Sequence, residues 1–297
     1  MNKGILYAAG AYIIWGLLPI YWKALDDVPA GQILAHRIVW SLLFVGVVLT
    51  VRHNWAWLRG AVARPRVLLT FAVSGTLLAI NWFVYIWSVN AGFIVETSLG
   101  YFINPFVNVL LGFIVLKERL RPAQWLALSV ALAGVLYLTF SYGAFPWIAL
   151  TLAFSFGTYG FIRKTATLNS AEGLFLETAV LFLPAFGFLL LQDSRGAGAF
   201  AHNGLTSTLL LMGAGVVTSV PLLLFAAGAR RITMTSLGLL QYIAPTLQFL
   251  IGVLIFHEEF GMTRLIGFGL IWLALVLYSA EGLWQRRLSA HAATVKA

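Results

Sequence analysis

The chain has no cysteine in its 297 residues, which removes disulfides, thiolate metal ligands and thiol chemistry together. Charge is also scarce. Only 10% of residues are Asp, Glu, Lys or Arg, against 61% hydrophobic, and the mean hydropathy is +0.90. A soluble core of this size cannot hide so much apolar surface, so lipid is the expected solvent. Catalytic constellations are missing as well: there is no phosphate loop, no metal-ligand cluster and no nucleophile paired with a base. The five histidines (His36, His53, His202, His257 and His291) are dispersed, and only His257, beside Glu258 and Glu259, has acidic neighbours. These absences predict a protein that is not an enzyme and holds neither cofactor nor metal.

What the chain does have is apolar length. Ten runs near the bilayer requirement of about 20 residues fall around 4–22, 31–51, 67–90, 94–116, 123–141, 144–162, 171–191, 205–229, 233–256 and 264–282. They lack the period-two alternation of a barrel strand, so the spans must satisfy their backbones as helices. The first run follows Met1-Asn2-Lys3 without a small-residue cleavage pattern, and is expected to remain as the first span.

The formal net charge of +9 reads as topology rather than as a nucleic-acid surface. With the amino terminus cytoplasmic, fifteen of the nineteen Lys and Arg lie inside: Lys3, Arg52, Arg59, Arg64, Arg66, Lys117, Arg119, Arg121, Arg163, Lys164, Arg230, Arg231, Arg286, Arg287 and Lys296. Lys23, Arg195 and Arg264 lie outside, and Arg37 falls within a span. Both termini are therefore expected in the cytoplasm, and the short loops leave no room for a soluble domain.

One stretch occurs twice. Thr97-Ser98-Leu99-Gly100 returns as Thr235-Ser236-Leu237-Gly238 at an offset of 138. After a two-residue insertion, Asn104-Pro105 meets Ala244-Pro245 and Lys117-Glu118 meets His257-Glu258 at an offset of 140; Gly16 and Lys23 meet Gly157 and Lys164 at 141. Five spans per copy invert the second copy in the membrane. The basic Lys117–Arg121 loop against the acidic-leaning His257-Glu258-Glu259 fits opposite insertion. The expected architecture is an all-α membrane protein of ten transmembrane helices in two inverted five-helix repeats, 1–141 and 142–284, followed by a loose cytoplasmic tail, 285–297.

Several spans carry polar and aromatic residues on one helical face. Tyr12, Trp15, Gly16 and Pro19 form either a kinked packing face or an aromatic cavity wall. Asn81, Trp82, Tyr85 and Ser88 share a face, as do Tyr101, Asn104 and Asn108, and Gln241, Pro245 and Gln248. Buried amides serve as glue between helices or as contacts to cargo; the convergence of three such stripes favours cargo. The expected substrate-binding set is Tyr12, Trp15, Asn81, Trp82, Tyr85, Tyr101, Asn104, Gln241, Tyr242 and Gln248, in a largely uncharged cavity. His36, Arg37, Glu96 and Glu177 are coupling or gating candidates. Arg37 and Glu177 each lie about 9 Å deep and need partners. Glu96 or Asp26-Asp27 is expected for Arg37, and Arg163 or Lys164 for Glu177. Snorkelling to the interface is the alternative, and Glu96 at a helix start also suits a helix-end role.

The motifs GAYIIWGLLPIYWK (10–23), ILAHRIVWS (33–41), NWFVYIWSVN (81–90), ETSLGYFINP (96–105) and SLGLLQYIAPTLQFLIGV (236–253) together resemble the EamA group of the drug/metabolite transporter superfamily, within it the RarD-like, chloramphenicol-sensitive-protein branch. The resemblance implies ten helices in two inverted repeats around a central cavity, and passage of small organic solutes across a bacterial inner membrane. The function expected is an exporter or facilitator of amino acids or drug-like metabolites by alternating access. An importer of related nutrients, or a membrane sensor that moves nothing, remains open. Lipid and a small-molecule substrate are the expected partners; nucleic acid is not.

Overall fold

The computed structural model describes residues 3–91, 93–142, 145–255, 257 and 261–295; the side chains of further helical residues, Glu96, Arg264 and 285–295 among them, lie outside the described set. Among these residues every regular element is a helix and there is no strand. Twelve helices run in order: α1 (Lys3–Lys23), α2 (Ala30–Val51), α3 (Ala56–Val62), α4 (Pro65–Asn90), α5 (Ile94–Ile114), α6 (Pro122–Tyr142), α7 (Trp147–Thr165), α8 (Ser170–Ser194), α9 (Gly204–Ala229), α10 (Met234–Gln241), α11 (Ile243–Leu254) and α12 (Met262–Val295). By length and composition, seven candidate membrane spans are present among the described residues, α10 and α11 counting together as one. Shorter apolar stretches cover 99–114 of α5 and 265–281 of α12. α7 falls outside both groups; it is rich in Ser, Thr and Gly and ends on Arg163-Lys164. Two features differ from the sequence expectation. A short helix, α3, occupies the loop after α2, and α12 continues helically to Val295 through the segment expected to be a loose tail.

The outward faces are apolar, as a lipid solvent requires. Leu183 and Phe140 are 76% and 78% exposed, alongside Leu205, Val51 and Leu69. A water-soluble monomer does not tolerate such a continuous coat. Inward, α1 lies against α9, α10 and α11; α7 lies against α4, α5 and α9. α2 packs on α8 and α9, α4 on α8, α5 on α10, and α6 on α12. Close crossings need small residues. A Cβ on Gly75 would meet the Glu177 backbone at 3.1 Å, and one on Gly228 would meet the Ala8 backbone at 2.9 Å.

Helix ends follow from local chemistry. Asn169 caps α8 by accepting from Ala171 and Glu172 amides at 3.0 and 3.1 Å, while Glu172 returns a carboxylate oxygen to the Asn169 amide at 3.1 Å, a reciprocal capping box. Thr233 caps α10 through the Ser236 amide at 3.1 Å. A carboxylate reinforces that end: Glu118, in the loop after α5, accepts from the Met234 amide at 2.7 Å, the Thr235 amide at 3.1 Å and the Thr235 hydroxyl at 3.0 Å. Lys117 and its repeat mate His257 both adopt left-handed backbone, φ 54° and 53°, so the two copies turn alike after their helices. Glu258, the mate of Glu118, lies outside the described residues.

Prolines sit inside α1, α5, α8 and α9 (Pro19, Pro105, Pro184 and Pro221). Each lacks the N–H that would bond to the carbonyl four residues back. Pro19 thereby releases the Trp15 carbonyl, and the Gln248 side-chain amide takes it at 3.2 Å, stitching α11 to α1. Pro105 and its mate Pro245 leave the carbonyls of Tyr101 and Gln241 without helical donors. In the second copy the helix breaks just there, between α10 and α11 at Tyr242.

Candidate functional site

These helices enclose a cavity of about 220 Å³. Its wall is built from both ends of the chain: Tyr12, Trp15, Leu18, Pro19 and Trp22 of α1, Arg37 of α2, Asn81, Trp82 and Tyr85 of α4, and Gly100, Tyr101 and Asn104 of α5. Leu152 and Phe156 of α7, Leu222 of α9, Gln241 of α10, and Ala244 and Gln248 of α11 complete it. Nine of the ten residues expected at a substrate site therefore share one space. Tyr242 does not. It packs in the apolar cluster with Leu239 and Phe102, and its hydroxyl donates to the Phe102 carbonyl at 3.2 Å. Tyr242 follows Gln241 at the break between α10 and α11, and its ring turns into that cluster instead.

Much of the polar wall is spent on internal bonds. Asn81 donates to the Leu152 carbonyl and the Ser155 hydroxyl, both at 3.0 Å; Asn104 donates to the Ala153 carbonyl at 2.9 Å. Asn108, behind the wall, donates to Asn104 Oδ1 at 3.0 Å and to Gln241 Oε1 at 3.1 Å. Thus the amides of α5 and α10 form a chain that fixes Gln241 by its oxygen. The Tyr12 hydroxyl donates to the Leu237 carbonyl at 3.2 Å. The aromatic wall is a continuous packing: Trp15 meets Tyr12, Phe156 and Phe225 with ring centroids 5.7, 5.6 and 5.6 Å apart.

The coupling candidates separate. Arg37 lines the cavity and is the one charged residue on its described wall. Its Nε donates to Thr218 Oγ1 at 3.0 Å, and its guanidinium lies over the rings of Trp22 and Trp82 at 4.9 and 4.4 Å. Of the expected acids, neither Asp26 nor Asp27 pairs with it: Asp26 pairs with Lys23 at 3.3 Å, and Asp27 accepts from Asn203 at 3.4 Å. The Glu96 side chain lies outside the described residues. His36, one residue earlier, faces away; it stacks on Phe200 at 5.1 Å and accepts from Trp40 Nε1 at 3.3 Å. Glu177 is fully buried and pairs with Arg163 at 3.4 Å, as one of the two expected partners. Ser74 and Tyr159 also donate to it. Lys164, the other expected partner, instead donates to the Ala229 carbonyl at 3.1 Å and to that of Ile232, closing the end of α9. Among the described residues no group of three metal-ligating side chains exists.

Trp22 and Phe156 were not among the expected wall residues, although each had a signal. Trp22 continues the Trp15, Pro19 stripe at i+7, and Phe156 is the mate of Trp15 at the offset of 141.

A bundle of apolar helices around an internal cavity, with aromatic rings, amides and a cation on its described wall, defines a polytopic membrane protein. The profile of the EamA-like transporter family matches this chain twice, over residues 2–140 and 146–280. The chain belongs to the EamA-like transporter family. It is 47% identical over 288 residues to Protein RarD of Streptomyces exfoliatus, covering 97% of this chain and 91% of that protein. It is also 47% identical over 296 residues to the uncharacterized transporter YojE of Bacillus subtilis, covering 98% of each. The chloramphenicol-sensitive protein RarD of Pseudomonas aeruginosa is 31% identical over 280 residues, 93% of each chain. A solved crystal structure shares the fold at TM-score 0.69 and 18% identity, covering 93% of this chain and 97% of that one.

Proposed function

We propose that this transporter carries small organic solutes through the cavity by alternating access, as an exporter or facilitator in a bacterial inner membrane with both termini cytoplasmic. The carrying observation is that one cavity draws its wall from helices of both duplicated segments. In this reading ten spans form two inverted repeats, 1–141 and 142–284, which rock about the shared site. The exchange of contacts between copies supports it. α5 packs on α7 as α10 and α11 pack on α1, and α4 packs on α8 as α9 packs on α2. The placement of fifteen of nineteen basic residues supports the orientation.

Within the cavity, Tyr12, Trp15, Asn81, Trp82, Tyr85, Tyr101, Asn104, Gln241 and Gln248 contact the cargo, which suits amino acids or drug-like metabolites with a flat apolar part. Counterflow in proteoliposomes, run against a panel of such solutes, is the test. Accumulation that falls to background with Trp15→Ala and with Gln241→Ala supports the site. Flux unchanged by both would sink it, and no flux of any solute would turn the reading toward a sensor. Importer and exporter are separated by orienting the protein in the vesicle and imposing the gradient from each side.

A further inference from the structure

Arg37, the one charged residue on the described cavity wall, carries more information about cargo than the aromatic rings do. Arg37 sits at membrane depth, where a cation is tolerated only with partners. Its Nε is occupied by Thr218, and its face lies against Trp22 and Trp82. The edge carrying Nη1 and Nη2 remains, with no carboxylate within ion-pair distance among the described residues. A guanidinium whose plane is held by rings and whose Nε is anchored can offer that edge in one orientation only, which is the fork that matches a carboxylate. Two further hydroxyls lie beside it. Tyr85 and Tyr101 line the same cavity and interact electrostatically with Arg37. Their rings meet edge-on at 5.9 Å.

Resting on the reading of this cavity as the cargo site, we propose that Arg37, with the Tyr85 and Tyr101 hydroxyls, binds a carboxylate, and that the preferred cargo is a monoanionic carboxylate with a flat apolar body. One guanidinium balances one negative charge, so a dianion is left with an uncompensated charge at membrane depth. A zwitterion brings an ammonium as well, and no described acid lines the cavity to receive it. The remaining polar groups there are neutral amides whose nitrogens or oxygens are already bonded at Asn81, Asn104 and Gln241. The flat body then stacks on the Trp15 and Trp82 side of the wall.

Four solutes of one shape test this: indole-3-propionate, its neutral amide, tryptophan and tryptamine, titrated by calorimetry into the purified full-length protein in detergent. The expected result is indole-3-propionate at least tenfold tighter than the amide, tryptophan weaker than the propionate, and tryptamine unbound. Arg37→Gln should erase the preference for propionate over the amide, and Arg37→Lys should keep part of it, with thermal unfolding confirming that both variants are folded. Equal affinity for propionate and amide overturns the carboxylate assignment while leaving the cavity reading intact, as does a preference that survives Arg37→Gln. Tryptophan binding tighter than the propionate overturns the monoanion preference. Binding of none of the four overturns this proposal alone, because the cavity reading is decided by whether flux of any solute responds to Trp15→Ala.

Discussion

Two arginines lie inside the helical bundle, and they live differently. Arg163, 2% exposed at the end of α7, is closed in by Glu177 at 3.4 Å, by the Ser170 carbonyl at 2.8 Å and by the Phe71 ring at 5.5 Å. Its charge is neutralised within the protein. Arg37, the eighth residue of α2, has the Thr218 hydroxyl, two indoles and the Tyr85 and Tyr101 phenols for company and lines the cavity, with no carboxylate at ion-pair distance among the described residues. The desolvation cost of a buried ion is several kcal/mol, so each site must offset it. Arg163 does so with a fixed carboxylate and therefore serves the fold. Among the described residues Arg37 has no such carboxylate, which leaves capacity for a solute. Residue type at membrane depth is thus a poor guide to role; what fills the last coordination position is a better one.

This contrast can be broken most strongly at Arg163. Arg163→Ala leaves the fully buried Glu177 without its cation and should cost about 3–5 kcal/mol, read as a lower denaturation midpoint in detergent together with loss of folded protein. Replacing the pair at once, Arg163→Met with Glu177→Leu, should recover most of that loss. Failure to recover would mean that the pair does more than neutralise itself. Arg37→Gln should lower stability by no more than about 2 kcal/mol, the range of a desolvated cation–π contact, while abolishing the distinction between charged and neutral solutes. If it destabilised as much as Arg163→Ala, the two arginines would be alike and the contrast would fail.

Smaller effects sharpen the boundary between wall and scaffold. Asn108→Leu removes the donor that holds Gln241 and Asn104, and should cost about 0.6–1.7 kcal/mol, typical of hydrogen bonds between membrane helices. It should also weaken solute binding through Gln241, which a purely structural amide would not do. Tyr242→Phe loses one hydrogen bond, about 1 kcal/mol, and should leave counterflow at the wild-type level because the ring faces away from the cavity. A transport defect there, with unchanged stability, would return Tyr242 to the cargo site.

How much of this could be read beforehand depends on how far each property reaches along the chain. The stripes on α1, α4 and α5 are local, set by 3.6-residue periodicity, and they put Tyr12, Trp15, Asn81, Trp82, Tyr85, Tyr101 and Asn104 on the wall. The stripe of Gln241, Pro245 and Gln248 supplied Gln241 and Gln248 in the same way, and the duplication could have supplied Phe156 as the mate of Trp15. Partnerships were less legible. Glu177 finds Arg163 only 14 residues away in an adjacent helix, and that pairing was foreseeable. Arg37 meets Thr218, 181 residues later, because α9 crosses α2 at that depth, and no local pattern records a crossing. Tyr242 shows the same limit from the other side: the stripe carries Gln241 and Gln248, but adjacency along the chain says nothing of adjacency in the cavity.

The grip of Glu118 on the first turn of α10 has a mechanical meaning. The carboxylate follows one copy of the duplicated stretch and holds the start of the other by three hydrogen bonds. The two cannot part at that end without baring two backbone amides, a hydroxyl and a charge in the same instant. In the alternating-access reading this joins the end of α5 and the start of α10 into one mechanical unit, like a keyed shaft.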